Sequence, residues 1–88
     1  MGERAEIQAA VKHFILDAFL PGEDPQQLTE DTELVSSGVL DSIATLRLVT
    51  FLEERFGIGV EAHEADEEHL NTLSSIADLV ASKKMRAG

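Results

Sequence analysis

Asp41 and Ser42 lie together in the run Gly38-Val39-Leu40-Asp41-Ser42-Ile43, and Ser42 is the side chain best placed to do chemistry. Aspartate is a favoured N-cap, so Ser42 is predicted to open a helix, where backbone N–H groups without intrahelical acceptors and the positive dipole end face outward. A phosphate ester built on that hydroxyl would be stabilised there, at some cost from the neighbouring Asp41 charge. For the dipeptide alone, a plain helix start is the better reading. Other chemistry is poorly supplied. His63 and His69 flank the acidic run Glu64-Ala65-Asp66-Glu67-Glu68, but six residues turn the second histidine about 240° around a helix, whereas zinc binding needs an i, i+4 pair. The run also lacks the alternating Asp and Asn ligands and central Gly of a calcium loop, so no metal site is expected. His13 is placed at the rim of the first helix. No Gly-x-Ser-x-Gly elbow occurs and no base stands beside Ser42, so this chain is not expected to be an enzyme. With no Cys, any thiol must come from outside the chain.

The elements that would hold Ser42 follow from apolar periodicity. Ile7, Val11, Phe14, Ile15, Ala18 and Phe19 form one stripe at helical spacing, which Pro21-Gly22 ends. A second helix is predicted from after Asp41 to about Phe56, with Gly57 and Gly59 suited to its C-terminal end. A third long helix is predicted with Asn71 or Thr72 as its cap and Leu73, Ile76, Ala77 and Val80 as its buried stripe, while Lys83, Lys84 and Arg86 complement the dipole at its end. About twenty residues separate the first two helices, longer than the roughly 12 to 15 at which a structureless loop becomes unusual in a small domain. Leu28, Leu34, Val35, Val39 and Leu40 are expected to pin this stretch across the bundle as a packed crossover. Between Gly57 and Leu70, the apolar residues Val60, Ala62, Ala65 and Leu70 suggest at most a short helix. The fold class expected is all-α: a small three- to four-helix bundle with a long crossover between helix one and helix two, in a single domain over 1–88 with an ordered core of about 4–84.

A helical wheel of the second helix places Ala44, Leu48, Val49, Phe51, Leu52 and Phe56 on the core side. Ile43 and Leu46 fall on the opposite side with Arg47, Thr50, Glu53 and Glu54. Two branched aliphatics exposed beside an exposed serine, with a charged rim, have the anatomy of a partner-binding patch.

The chain has 17 Asp and Glu against 7 Lys and Arg over 88 residues, a formal charge of -10. Such a surface repels nucleic acid and anionic bilayers and draws partners with basic patches. Residues 23 to 46 hold six acids and no Lys or Arg, and residues 56 to 82 hold another six and no Lys or Arg. Crowded acids predict a domain that is only marginally stable at low salt. No signal-peptide pattern opens the chain, Glu6 stands where a myristoylation signal wants Ser or Thr, and no apolar run nears the roughly 18 residues of a membrane span. A cytoplasmic monomer with no membrane insertion is expected.

With these features assembled, the chain resembles the acyl carrier protein family over nearly its whole length. The carriers of the resemblance are Gly38-Val39-Leu40-Asp41-Ser42-Ile43, the amphipathic helix it opens, the long first connection and the acidity. The resemblance implies 4′-phosphopantetheine attached to Ser42 by a separate phosphopantetheinyl transferase using coenzyme A. The cofactor thiol would carry an acyl or aminoacyl group as a thioester, and Asp41 would help present Ser42 to the transferase and its metal. It also implies a loading ligase or synthetase and acyl-transferring enzymes of fatty acid, polyketide or specialised acyl and aminoacyl metabolism. Some residues depart from the carriers of fatty acid synthesis: Gly38 lies three residues before Asp41 rather than two, Ala44 follows Ile43 where an acid is usual, and Arg47 stands where those carriers tend to have Glu. The run from Ser37 to Ile43 is closer to standalone D-alanyl and other aminoacyl carriers. A tethered acyl chain could enter between helix two and the segment after Gly57-Ile58-Gly59, with the glycines as a hinge. The alternative is an unmodified acidic adaptor that binds a basic partner through helix two.

Overall fold

Helix α1 spans Glu3–Ala18 in the computed structural model, which describes residues 2–87 without the side chains of Pro25 and residues 85–87. Glu3 and Glu6 in its first turn favour the positive dipole end. The stripe buries Ile7, Val11 and Ile15, while Phe14 and Phe19 are half-buried and Ala18 is exposed rather than packed. The helix ends as expected: the N–H groups of Phe19 and Leu20 both donate to the Ile15 carbonyl, and Gly22 takes a φ of 89° after Pro21.

The crossover is packed. Leu28, Leu34 and Leu40 are buried, and Val35 and Val39 are half-buried against the core. Asp24 accepts from the Gln26 N–H at 2.9 Å and starts a single 3-10 turn, Pro25–Gln27. Nearer Ser42, Leu40 N–H donates to the Leu34 carbonyl at 2.9 Å, closing a loop whose turn needs the positive φ of Gly38, 91°. Asn71 holds this loop from the far end of the sequence. Its carbonyl accepts from Leu34 N–H at 2.6 Å, and its side-chain Oδ1 accepts from Val35 N–H at 2.9 Å and Ser36 N–H at 3.1 Å.

Helix α2 spans Ser42–Phe56 and buries Ala44, Leu48 and Leu52, with Val49, Phe51 and Phe56 only half-buried. Gly57 closes it with a φ of 67° and donates to the Glu53 carbonyl. The following stretch holds two short pieces rather than one. A 3-10 turn, Ala62–Glu64, is closed by a capping box in which Glu61 and Glu64 serve each other's backbone, and α3, Glu67–Leu70, is capped by Asp66. Only Leu70 from this stretch is fully buried.

Helix α4, Leu73–Ala87, is capped by Thr72, whose hydroxyl accepts from Ser75 N–H at 3.0 Å. Of the two cap candidates, Thr72 serves the helix and Asn71 serves the crossover. Leu73, Ile76, Ala77 and Val80 are buried as expected, and Leu79 joins them. Its main packing partner is α1, and Arg4 reinforces that contact by donating to Asp78 at 2.9 Å and to the Ser74 hydroxyl at 2.9 Å. The lysines expected to face the dipole are drawn into ion pairs: Lys83 with Glu64 at 2.6 Å and Lys84 with Glu3 at 3.2 Å. The Arg86 side chain lies outside the described residues. No strand occurs among the described residues, and no helix is long and apolar enough to cross a membrane.

Candidate functional site at the start of helix two

The site is built on the entry to α2. Asp41 is extended, with φ -83° and ψ -171°, and its Oδ1 accepts from Ala44 N–H at 2.8 Å while its main-chain carbonyl accepts from Thr45 N–H at 2.8 Å. That cap takes the third amide of the helix and leaves those of Ser42 and Ile43, which have no intrahelical acceptor by geometry, pointing outward. Ser42 is exposed beside them. A phosphodiester on its hydroxyl therefore fits this chain without displacing any packed group, and it would meet two N–H donors and the positive end of a 15-residue helix. Asp41 is committed to the helix cap, which directs its carboxylate toward Ala44 N–H.

Beside Ser42, Ile43 is 70% and Leu46 66% exposed, and among the described residues they are the large hydrophobics the fold leaves in water. Arg47, Thr50 and Glu54 are exposed on the same side. Glu53 differs from its sequence expectation. It is half-buried, and its Oε2 accepts from Val60 N–H at 2.9 Å, tying α2 to the segment beyond Gly57 and Gly59. The physical reason is that Gly57 reverses the chain back along the last turn of α2, bringing an unpaired amide within reach of Glu53. That bond spans the glycines expected to act as a hinge.

Two residues that line the site come from the edge of the apolar pattern. Phe14 of α1 and Phe51 of α2 stack with ring centroids 4.3 Å apart and planes 11° from parallel, forming the floor of a cleft of about 440 Å3 between the helices. Ile43, Leu46, Arg47 and Glu54 form its α2 side. The helical wheel puts Phe51 on the core side; the structure leaves it half-buried against the core, where its stacking on Phe14 also brings it to the edge of the patch. A second recess of about 370 Å3 lies on the other side of Ile43, among Phe19, Val39, Asp41 and Arg47.

Of the histidines, His13 lines a neighbouring recess with Phe14 and Phe51, while His63 and His69 belong to the segment between α2 and α4. His13 and His63 are exposed, and His69 Nδ1 lies 2.7 Å from Asp66 Oδ1, which also accepts the His69 N–H. The hydrogen bond to Asp66 holds the His69 ring above the usual imidazole value of 6.5, and its reciprocal holds Asp66 below the usual carboxylate range. Glu64 is lowered as well, first by its hydrogen bond to Lys83 and then by the Glu61 amide. Among the described residues no group of three or more His, Cys, Asp or Glu is arranged to hold a metal ion.

Comparison with known proteins agrees with this geometry. The family described as a phosphopantetheine attachment site matches residues 20–80, from just after α1 to the middle of α4. A D-alanyl carrier protein of Bacillus velezensis is 36% identical over 62 residues, 70% of this chain and 80% of the relative. An acyl carrier protein of Thermotoga maritima is 32% identical over 83 residues, 94% of this chain and 98% of the relative. A D-alanyl carrier protein of Streptococcus uberis is 39% identical over 70 residues, 77% of this chain and 87% of the relative. An exposed serine at a capped helix start lies inside a segment that matches a phosphopantetheine attachment site, and relatives at 32 to 39% identity are carrier proteins: the chain belongs to the phosphopantetheine-bearing carrier proteins, which hold acyl or aminoacyl groups for partner enzymes.

Proposed function

We propose that Ser42 is the attachment residue and that α2 is the surface partner enzymes read. The observation that carries this is the exposed Ser42 hydroxyl at the capped start of α2, flanked by Ile43 and Leu46 in water. In the attachment step, Ser42 Oγ forms a bond to the phosphorus of the coenzyme A phosphopantetheine arm and the phosphoanhydride bond to the nucleotide breaks. The serine proton leaves to a base on the transferase, since the neighbouring Asp41 carboxylate is engaged with Ala44 N–H in the helix cap. The arm then supplies a thiol for thioester chemistry. This chain's own contribution is to fix Ser42 at a rigid helix start, offer the Ser42 and Ile43 amides to the phosphodiester, and present Ile43, Leu46, Arg47, Thr50 and Glu54 to the partner. Glu53 holds the α2 end of that surface in place through Val60.

On this reading the partners are a phosphopantetheinyl transferase, a loading ligase or synthetase, and an enzyme that takes the cargo onward. Several similar proteins are named D-alanyl carrier proteins, which favours an amino acid or other small acyl group as cargo. The protein works as a cytoplasmic monomer, where coenzyme A is available, and turns over nothing alone. Incubation with coenzyme A and a broad-specificity transferase, read by intact mass, tests the assignment. Wild-type protein gains the mass of the cofactor and Ser42→Ala gains none; an equal gain by Ser42→Ala, or none by wild type, overturns it.

A further inference from the structure

Arg47 is the feature that neither acidity nor attachment chemistry explains. It stands in an α2 surface whose net context is a chain of charge -10. Its helical neighbours three and four residues away are Ala44, Thr50, Ile43 and Phe51, none of them an acid, so α2 offers it no intrahelical ion pair. Among the described residues it makes no salt bridge, whereas Arg4, Lys83 and Lys84 each do. Helical side chains lean toward the N-terminus, and Arg47 accordingly lines both the 440 Å3 cleft below Leu46 and the 370 Å3 recess that reaches Asp41. A guanidinium with no ion pair among the described residues thus lines the cleft with the exposed Ile43 and the Phe14–Phe51 floor, five residues along α2 from Ser42.

We infer that Arg47 sets partner choice: the enzyme face that fits this carrier presents a carboxylate opposite Arg47, beside an apolar socket for Ile43 and Leu46. The inference rests on reading α2 as the docking surface. A uniformly basic face, which the charge of -10 would draw from a distance, meets Arg47 as a like charge on contact and is a poorer match than one with a single acid there. Charge across an interface acts mainly on encounter rate and on rejection of wrong partners, so Arg47 acts as a selector while the aliphatics contribute the contact area.

The test compares rates of Ser42 modification, read by mass, for wild type, Arg47→Lys, Arg47→Glu and Arg55→Glu. The probe is coenzyme A with a transferase chosen for a basic docking face. Arg55, over the Phe56 ring at 5.5 Å, provides the same change in net charge outside the patch. At low salt Arg47→Glu is expected to be modified roughly three- to ten-fold faster than wild type, with Arg47→Lys like wild type and Arg55→Glu changed less than about two-fold. When the basic residues of the transferase face are replaced in turn by Glu, at least one variant should reverse the order and prefer Arg47, and about 0.5 M NaCl should erase both preferences. Equal effects of Arg47→Glu and Arg55→Glu would show that only net charge matters and would overturn the inference, as would no effect of either. Absence of modification in every protein would overturn the carrier reading itself.

Discussion

Replacing Asn71 with Ala should loosen the crossover that delivers Asp41 and Ser42 to the start of α2. The side-chain oxygen accepts from Val35 N–H at 2.9 Å, Ser36 N–H at 3.1 Å and the Ser36 hydroxyl at 3.3 Å. Val35 is half-buried, so its amide would lose a partner without full access to water, at a cost of about 1 to 2 kcal/mol. Ser36 is exposed and water can replace its bonds, which adds roughly 0.5 kcal/mol or less. The sum is about 2 kcal/mol, a large share of the roughly 4 to 13 kcal/mol expected for a domain of this length. For a chain of this size that corresponds to a fall in Tm of about 8 to 16 °C. The main-chain bond from Leu34 N–H to the Asn71 carbonyl survives the substitution, so the fold persists and the change can be measured. Thermal melts by circular dichroism give the Tm, and amide hydrogen exchange should show protection lost first at Val35. Asn71→Asp keeps the acceptor and should lose less than Asn71→Ala. A shift below about 2 °C for Asn71→Ala, with Val35 exchange unchanged, would refute the assignment of the side chain as the clasp.

Gly57→Ala meets no atom within 4 Å of the added Cβ, so only its φ of 67° opposes it; the expected loss is about 1 kcal/mol, read in urea unfolding, with Gly57→Asn losing less. Leu52→Ala, at a fully buried position under the docking face, should cost about 2 to 5 kcal/mol and lower the urea midpoint without changing which residue is modified. The His69–Asp66 pair should give a stability increment, relative to His69→Gln, that is largest between pH 3.8 and 6.5. It fades as pH rises through the raised histidine value or falls through the lowered aspartate value, so a wild-type advantage that stays constant from pH 4 to 9 in paired melts would contradict it. Raising NaCl from about 10 mM to about 0.5 M should lift the Tm by several degrees, because screening relieves repulsion among acids on a chain of charge -10; an unchanged melt would show that the acids are less crowded than their number suggests.

Features decided within one helix were legible from the residues alone. The N-cap at Asp41, the C-cap at Gly57, the buried row Ala44, Leu48 and Leu52, and the exposure of Ile43 and Leu46 all depend on 3.6-residue periodicity and cap chemistry, which neighbouring residues determine. The packed crossover was readable from its spaced leucines, because a long polar backbone with buried Leu28, Leu34 and Leu40 has to cross the core. What the tertiary structure decided were choices between partners of nearly equal local merit. Asn71 and Thr72 are both good caps, and the arrival of Val35 and Ser36 gave Asn71 other donors to serve. Glu53 belongs to the exposed face by its wheel angle, yet the amide of Val60 draws its carboxylate along the helix. Lys83 could have faced the helix end, but Glu64 lies 2.6 Å from it. Phe51, expected on the core side, does pack against the core but is only half-buried, and its stacking on Phe14 makes it the floor of an open cleft as well. Local pattern states what a side chain can satisfy; which donor, acceptor or ring it meets depends on segments far away in sequence, and only the closed fold brings those together.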